Sequence, residues 1–334
     1  MDGPRTSHAR AQATYLIYRG LGTAMQRFPE PVAEAAAAIV GLALTAGRRD
    51  ARAIYARHLR RVLGPGMTSA EVRAWTRRAF LNYARYWLEG SRLPAVDPQV
   101  VESRMMVESG YEYLVDGMAA GKGVVLALPH LGRWEWGGAW LNLQGYPMTA
   151  VAEPVHPARL YDWFVSQRQA LGLTIVALGP DAGGVLLRTL RGGGLVGLLC
   201  DRDIVGNGVE VEFFGERTTL PAGPATLALR TGALLLPTAV YGGPGRDHTA
   251  VIMPPVAAER TGRLRADVER VTQEVAHDLE RLIRRAPDQW YLFQPNWPSD
   301  RGEASGGPPS TAASTAASTA ASTAASTAST DDDS

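Results

Sequence analysis

The segment Leu126-Ala-Leu-Pro-His130-Leu-Gly-Arg-Trp-Glu135-Trp decides the fold of this chain. It includes the end of an apolar run, 124–128, whose length and continuity predict a buried strand. Pro129 ends that strand, and the residues from Trp134 onward predict the opening of a helix. In α/β proteins, functional groups gather where buried strands end. His130 stands at such an end and is therefore the first candidate for a functional residue.

The alternation of apolar strands and helices continues to about residue 285 and predicts an α/β fold. Strands that are apolar throughout are typical of a parallel sheet covered on both faces. We therefore predict a central, mostly parallel β-sheet flanked by helices, with an N-terminal helical region. The predicted strands are 124–128, 148–152, 174–178, 195–200, 209–214, 234–241 and 249–253. The predicted helices of this part are 110–120, 134–144, 160–171, 183–190, 222–231 and 264–285.

Composition divides the chain into three predicted parts. Residues 1–93 form a helical region expected to associate with membranes, and residues 94–300 form the α/β core. Residues 301–334 contain Ser-Thr-Ala repeats and no large apolar side chain, so we expect a disordered tail that cannot offset its ordering entropy. Thr68-Ser-Ala-Glu71 has the pattern of a capping box and predicts a helix start in the N-terminal part.

Charge is distributed unevenly along the chain. The formal net charge is +1, which does not favour nucleic acid as a partner. Within residues 1–92, however, fifteen arginines stand against six acidic residues. This excess suggests contact with an anionic inner membrane surface, although a solvated helix face is an equally good interpretation. The apolar stretch 32–46 is short for a membrane span, which needs about twenty residues, and predicts an interfacial or buried helix.

His130 and Glu135 form the first candidate pair. On one straight helix, residues five apart point about 140° away from each other. The two side chains meet only if His130 lies in the turn before the helix, which Pro129 and Gly132 favour. In that arrangement Glu135 orients the imidazole, and His130 acts as a general base. A purely structural role is the alternative for an isolated pair of this kind.

Further polar residues stand at other predicted strand ends or on a neighbouring helix, and we expect them to bind substrate in the same cleft. They are Glu153, Arg168, Asp201, Arg202 and Asp203. An Asp-x-Asp pattern can bind a metal-bound nucleotide, as in sugar transferases. The alternative, which we favour, is an Arg–Asp network that shapes the site, so no metal site is assigned. Cys200, the single cysteine, is expected to be a core thiol.

Several segments, in this order and spacing, resemble the lysophospholipid/lipid A acyltransferase family over about residues 10–297. The segments are Asn82-Tyr-Ala-Arg-Tyr-Trp-Leu-Glu89, Pro129-His130-Leu-Gly-Arg-Trp-Glu135, Glu153, Arg168, Asp201-Arg202-Asp203, Val211-Glu-Phe-Phe-Gly215, Leu220-Pro-Ala-Gly-Pro224, Thr231-Gly-Ala233 and Arg285-Ala-Pro-Asp-Gln-Trp290. Within the family, the sequence is most similar to the actinobacterial phosphatidylinositol mannoside acyltransferases. The resemblance implies a glycerolipid-acyltransferase-like fold and identifies His130 and Glu135 as the catalytic pair.

The resemblance also implies an acyl-CoA donor with a palmitoyl-like chain and a mannosylated phosphatidylinositol acceptor. The enzyme would act peripherally at the cytoplasmic face of the cell membrane, with no cofactor. Trp134, Trp136 and Trp140 are candidates for lining an acyl groove, with ordinary packing as the alternative. A backbone N–H near Gly132 is a candidate donor to the oxyanion. The alternative functions are a metal-dependent glycosyltransferase and an acyltransferase for another glycolipid.

Overall fold

The computed structural model describes residues 12, 15–16, 19–20, 22–243 and 245–302. The strands are β1 (Met105–Ser109), β2 (Val124–Leu128), β3 (Met148–Ala152), β4 (Thr174–Ala177), β5 (Leu195–Leu199), β6 (Val209–Phe213), β7 (Glu216–Leu220), β8 (Leu234–Gly242) and β9 (His248–Ile252). The helices are α1 (Glu30–Gly47), α2 (Arg49–Leu63), α3 (Ser69–Arg92), α4 (Pro98–Ser103), α5 (Tyr111–Ala119), α6 (Trp134–Leu143), α7 (Ala158–Gln169), α8 (Ala182–Arg191), α9 (Gly223–Thr231) and α10 (Leu264–Arg285). The tail predicted to be disordered lies outside the described residues from position 303 onward.

Seven strands form the central sheet, in the order β1-β9-β8-β2-β5-β3-β4. Strands β8, β2, β5, β3 and β4 run parallel to one another, and β9 pairs antiparallel to β8. The predicted mostly parallel sheet is therefore confirmed. Because β2 lies between β5 and β8, the residues that follow β2 and β5 lie next to each other at one edge of the sheet.

Two strands were not predicted from the sequence. Strand β1 lies at the sheet edge and is partly exposed, so it has no apolar run to reveal it. Strand β7 reads Glu-Arg-Thr-Thr-Leu and forms a separate hairpin with β6. Both strands depend on pairing with another strand and have no hydrophobic signal of their own.

Apolar clusters cover both faces of the sheet. On one face, helices α8, α9 and α10 pack over inward side chains of β2, β5 and β8. On the other face, α5 and α6 pack over the alternate side chains of the same strands. Burial on both faces explains why β2 is apolar at each position, and it holds the end of β2 rigidly.

The N-terminal helices pack beside this core. Helix α3 begins at a capping box in which Thr68 and Glu71 exchange hydrogen bonds, as predicted. Helix α1 spans 18 residues, longer than the stretch recognised in the sequence. Among the described residues, it is long and apolar enough to cross a membrane by length and composition. The prediction that this stretch is too short for a span was therefore wrong in its length.

Helix α1 has two different faces. Ala33, Ala37 and Gly41 are buried, and a Cβ atom at Gly41 would lie 2.9 Å from Leu81 Cα on α3. These small residues allow the two helices to pack closely. The opposite face keeps large apolar side chains exposed, namely Val32, Ile39, Val40 and Leu42. Because only its small-residue face is covered, α1 presents an apolar surface outward.

Candidate active site

The turn after β2 holds His130 at the edge of the sheet. Gly132 adopts φ +65°, and a Cβ atom there would lie 1.8 Å from the Val240 carbonyl oxygen, so the turn requires glycine. The Gly132 N–H donates to the Gln289 carbonyl at 2.9 Å. The Gly132 N–H is therefore engaged, and an oxyanion donor elsewhere near this turn or at the helix start stays a prediction. The His130 side chain remains about one-quarter exposed, which leaves it accessible to substrate.

His130 is bonded to Asp201. The two atoms His130 Nδ1 and Asp201 Oδ1 are 2.5 Å apart. A carboxylate accepts, so Nδ1 carries the hydrogen and Nε2 keeps its lone pair for a substrate proton. Burial acts to raise the pKa of Asp201, but the charge and hydrogen bond of His130 and the indole of Trp290 hold this pKa below its usual value. Asp201 is therefore a buried, ionised carboxylate that fixes the imidazole.

Glu135 has different partners. Its Oε1 accepts from the Tyr86 hydroxyl at 2.8 Å and from Arg168 Nη2 at 3.0 Å. Its Oε2 is buried and has no hydrogen-bond partner within the described part of the chain. The contact in which Glu135 orients His130 is not among the hydrogen bonds of the described residues, and Asp201 occupies that position instead. A catalytic role for Glu135 stays a prediction.

Glu135 also controls the electrostatics of its neighbours. Burial raises the pKa of Tyr86 well above its usual value, and the adjacent Glu135 charge raises it further. Burial acts to lower the pKa of Arg168, but the charges and hydrogen bonds of Glu135 and Tyr86 together raise this pKa above its usual value. The group thus consists of a neutral phenol, a carboxylate and a guanidinium. Arg168 Nε is also buried without a partner in the described residues, so the group can bind a polar ligand.

The remaining predicted residues make other contacts than the Arg–Asp network favoured from the sequence. Arg202 Nη2 donates to Glu153 Oε2 at 3.3 Å. Asp203 accepts from the backbone N–H groups of Gly206 and Gly208, both at 2.8 Å. Both Asp203 oxygens thus shape the loop that follows. Substrate binding by the five residues predicted for it stays a prediction, namely Glu153, Arg168, Asp201, Arg202 and Asp203.

The same geometry separates Asp201 from Asp203 in function. Asp201 is fully buried and uses its oxygens for His130 and Trp290, while Asp203 folds its own loop. Across the described ranges, no three His, Cys, Asp or Glu side chains are grouped as metal ligands. Cys200 is buried beneath the site, and burial raises the pKa of its thiol, as expected for a core cysteine.

A C-terminal strap, residues 287–301, completes the site and was not predicted from the sequence. Its Tyr291 N–H donates to the His130 carbonyl at 2.7 Å. Trp290 Nε1 donates to Asp201 Oδ2 at 2.6 Å, and Asn296 Nδ2 donates to the Asp201 carbonyl at 3.1 Å. Segments that carry Tyr86 and Trp290 were noted as part of the family resemblance. The positions of these segments along the chain did not indicate that Tyr86 would bond Glu135 or that Trp290 would bond Asp201.

Arg133 secures the other side of the turn. It is almost fully buried, donates to Glu89 through Nε, and donates to the Tyr291 hydroxyl through Nη1 at 2.5 Å. Burial raises the pKa of Tyr291 to about 12, so the phenol stays neutral beside the guanidinium. The turn that carries His130 is therefore tied to α3 and to the strap, which keeps its geometry constant.

An apolar cavity lies between α6 and the sheet, next to the site. Its cavity volume is about 30 Å³, and about 420 Å³ lies within its outline when the open solvent at its mouth is included. Strand β2 contributes Leu126 and Leu128 to its wall, and α6 contributes Trp134 and Trp140. Of the three tryptophans considered for an acyl groove, Trp136 is absent from this wall and donates instead to the Val101 carbonyl. The cavity is suited to an alkyl chain.

Comparison with known proteins finds a matching family model and similar named proteins. A family model described as bacterial lipid A biosynthesis acyltransferase matches residues 3–299. A Mycobacterium tuberculosis protein named phosphatidylinositol mannoside acyltransferase is 38% identical over 230 residues, which cover 67% of this chain and 70% of the relative. A Mycolicibacterium smegmatis protein of the same name is 37% identical over 230 residues, which cover 67% of this chain and 72% of the relative.

Proposed function

Since the chain belongs to the bacterial lipid A biosynthesis acyltransferase family, we propose that it transfers a long acyl chain from acyl-CoA to a mannose hydroxyl of a phosphatidylinositol mannoside. The observation that carries this proposal is the His130–Asp201 pair beside an apolar cavity. The names of the two mycobacterial relatives support the choice of acceptor.

The proposed reaction is direct transfer. Nε2 of His130 removes the proton from the acceptor hydroxyl while that oxygen attacks the thioester carbonyl carbon. The C–S bond of the tetrahedral intermediate then breaks, and His130 returns the proton to the leaving CoA sulfur. Asp201 keeps the hydrogen on Nδ1 and stabilises the imidazolium that forms. The products are the acyl ester and free CoA.

Glu135 and Arg168 bind the acceptor in this proposal. The free Oε2 of Glu135 accepts a hydrogen bond from a sugar hydroxyl, which satisfies its buried oxygen. Arg168 faces the anionic or sugar part of the head group, and Arg202 with Glu153 bounds the polar end of the cleft. The donor's acyl chain occupies the apolar cavity, where each buried methylene contributes about 0.8 kcal/mol.

The proposed location is the cytoplasmic face of the cell membrane. The outward apolar face of α1 enters the interface, and the arginine-rich N-terminal part faces anionic head groups. Peripheral attachment through α1 brings the cleft close to a membrane-bound glycolipid. No cofactor beyond the donor acyl-CoA is required by the proposed chemistry.

The direct test is incubation of the protein with radiolabelled palmitoyl-CoA and four acceptors in mixed micelles. The acceptors are phosphatidylinositol monomannoside, its dimannoside, unmannosylated phosphatidylinositol and a mannosyl diacylglycerol. We expect label in the two phosphatidylinositol mannosides alone. Label in the mannosyl diacylglycerol with none in the phosphatidylinositol mannosides would identify another glycolipid as the acceptor and overturn the proposal.

His130→Ala is the catalytic variant for this assay. General-base catalysis contributes about 10²–10⁴-fold, so kcat should fall by that factor. The matched control is His277→Ala, which removes an exposed histidine on α10 and should leave kcat unchanged. Circular dichroism confirms that both variants are folded. Full acyl transfer by a folded His130→Ala protein would exclude His130 as the base.

A further inference from the structure

We propose that Trp290 is a positioning residue for His130, because its indole N–H holds the Asp201 carboxylate in the orientation that receives His130 Nδ1. Trp290 lies on the strap. Among the hydrogen bonds of the described residues, its side chain bonds Asp201 and not His130. It acts through Asp201. The inference rests on the proposed function, because the reaction that it serves is the acyl transfer described above.

The first observation is the division of the two Asp201 oxygens. Oδ1 receives His130 Nδ1, and Oδ2 receives Trp290 Nε1 at 2.6 Å. The carboxylate is completely buried, so water cannot replace either donor. With both oxygens engaged, the carboxylate cannot rotate without losing a charge-assisted hydrogen bond. The indole therefore fixes the orientation of the carboxylate plane beside the imidazole.

The second observation is that the strap is bonded to the His130 turn through its backbone. Tyr291 N–H donates to the His130 carbonyl, and the Gln289 carbonyl accepts from Gly132 N–H. Asn296 adds a hydrogen bond to the backbone carbonyl of Asp201. The strap thus touches both members of the pair at once, and its Trp290 side chain bonds Asp201.

The third observation concerns the surroundings of Asp201. The titratable groups facing it are His130 on the β2 turn and Cys200 at the end of β5, and burial raises the pKa of the Cys200 thiol. His58 on α2 lies behind Trp290, with 5.6 Å between the ring centroids. Trp290 is 1% exposed and packs against Phe214 and Trp297, so its ring has little freedom to turn.

Trp290→Phe tests the inference, because it removes the N–H and keeps an aromatic ring. A hydrogen bond to a charged group accounts for about tenfold to hundredfold in rate, so kcat should fall by that factor. KM for acyl-CoA should stay unchanged, because Trp290 does not line the apolar cavity. Trp297→Phe is the matched control, since Trp297 is equally buried and donates to the Phe213 carbonyl instead.

A second readout does not need substrate. Nitrogen-15 NMR of labelled histidine reports which ring nitrogen carries the proton, and the His130 signals are identified by their loss in His130→Gln. We expect the Nδ1–H form in the wild type and in Trp297→Phe. In Trp290→Phe we expect a mixture of both neutral forms. If Trp290→Phe does not fold, benzothienylalanine at position 290 replaces the indole N–H with sulfur at nearly the same shape.

The two proposals fail in different ways. If the wild type transfers no acyl group to any acceptor, the proposed function fails, and the NMR comparison still decides the inference. If Trp290→Phe, or the sulfur isostere, keeps the rate of Trp297→Phe and the His130 signals of the wild type, Trp290 has no positioning role. Loss of rate with an altered His130 spectrum supports that role.

Discussion

At His130, the chemistry depends on which ring nitrogen carries the hydrogen. The contact with Asp201 places it on Nδ1 and leaves Nε2 free to act as a base. The nearby carboxylate in the sequence, Glu135, is held by Tyr86 and Arg168. The two carboxylates thus differ: Asp201 bonds the imidazole, and Glu135 keeps its buried Oε2 without a hydrogen-bond partner among the described residues.

Asp201→Asn separates these two roles. An amide can donate to Nδ1, which moves the hydrogen to Nε2 and removes the base. We expect kcat to fall by about 10²–10⁴-fold while the protein remains folded. Steady-state kinetics with labelled acyl-CoA, accompanied by circular dichroism, measures both quantities. A tenfold change in rate corresponds to about 1.4 kcal/mol, so a change of about threefold is too small to reflect loss of the orienting contact. A folded Asp201→Asn variant with kcat within about threefold of the wild type would therefore contradict the orienting role of Asp201.

At the scale of the element, strands β8 and β9 line the apolar cavity with the side chains of one face of the sheet. Ala250 on β9 and Val240 on β8 pair with each other and face the cavity. Ala239, the next residue on β8, belongs to the apolar cluster on the opposite face. The alternation of a strand therefore places neighbouring residues in two different environments.

Ala250→Ile should shorten the acyl chain that the enzyme prefers. The larger side chain fills part of the cavity, and each methylene excluded from it costs about 0.8 kcal/mol, or about fourfold in kcat/KM. The measurement is the ratio of kcat/KM for decanoyl-CoA and palmitoyl-CoA. Ala239→Ile is the control, because it adds the same volume on the other face. An equal ratio in the two variants would show that the chain lies elsewhere.

Helix α1 is the second element whose two faces differ. Its small residues pack on α3, and its large apolar residues face outward. A sequence of this composition predicts an apolar helix, but only the packing shows which side stays uncovered.

Ile39→Glu should weaken binding to vesicles of anionic phospholipid by at least about tenfold, because a buried Ile contributes about 1.5–3 kcal/mol. Ile39 is 67% exposed and lies in the middle of the outward face. Met106→Glu is the control, since Met106 is 58% exposed but lies on the edge strand β1. Vesicle sedimentation measures the bound fraction. Equal binding by Ile39→Glu and the wild type would remove α1 from the membrane contact.

At the scale of the whole molecule, the strap is anchored to the N-terminal helices. Asp300 is buried and accepts from Arg57, Arg61 and His58 on α2, with distances of 2.9, 3.0 and 3.0 Å. Its Oδ2 also accepts from two backbone N–H groups of the strap itself, those of Asn296 and Trp297. Burial acts to raise the pKa of Asp300, but His58 and Arg57 hold this pKa well below its usual value. Residues far apart in the chain thus hold Trp290 and Asn296 in place.

Asp300→Asn should lower the free energy of unfolding by about 3–5 kcal/mol at neutral pH, since it leaves buried donors without a charged acceptor. A lowered folded-state pKa stabilises above the unfolded pKa, here about 3.8, and this contribution is lost as pH falls through the folded-state pKa. The difference from the wild type should therefore shrink below about pH 4. Urea unfolding at pH 7 and pH 3.5 measures both quantities.

The control for Asp300→Asn is Glu210→Gln, which breaks an exposed ion pair with Arg217. Exposed pairs contribute about 0–1 kcal/mol, so this variant should unfold almost like the wild type. A loss in Asp300→Asn no larger than that of Glu210→Gln would show that the strap is held by its apolar contacts alone.

The local features of this protein follow from its sequence. The apolar strands of the central sheet, the helix starts, the turn at Gly132 and the position of His130 at a strand end all depend on neighbouring residues and on hydrophobic periodicity. The edge strand β1 was missed because its pairing partner β9 lies far along the chain, and β7 was missed because its residues are mostly polar. The fold class, the family and the position of His130 at the end of a buried strand were therefore predictable.

Tertiary structure alone decided the partners of that histidine. Asp201 is 71 residues away from His130 along the chain and Trp290 is 89 residues beyond Asp201, so no local pattern joins them. They meet because β2 and β5 are adjacent in the sheet and the strap crosses their ends. Glu135, although close in sequence, projects from α6 toward α3 and α7, where Tyr86 and Arg168 bind it. Local sequence placed His130 at the end of β2, and sheet order with long-range packing selected the side chains that contact it.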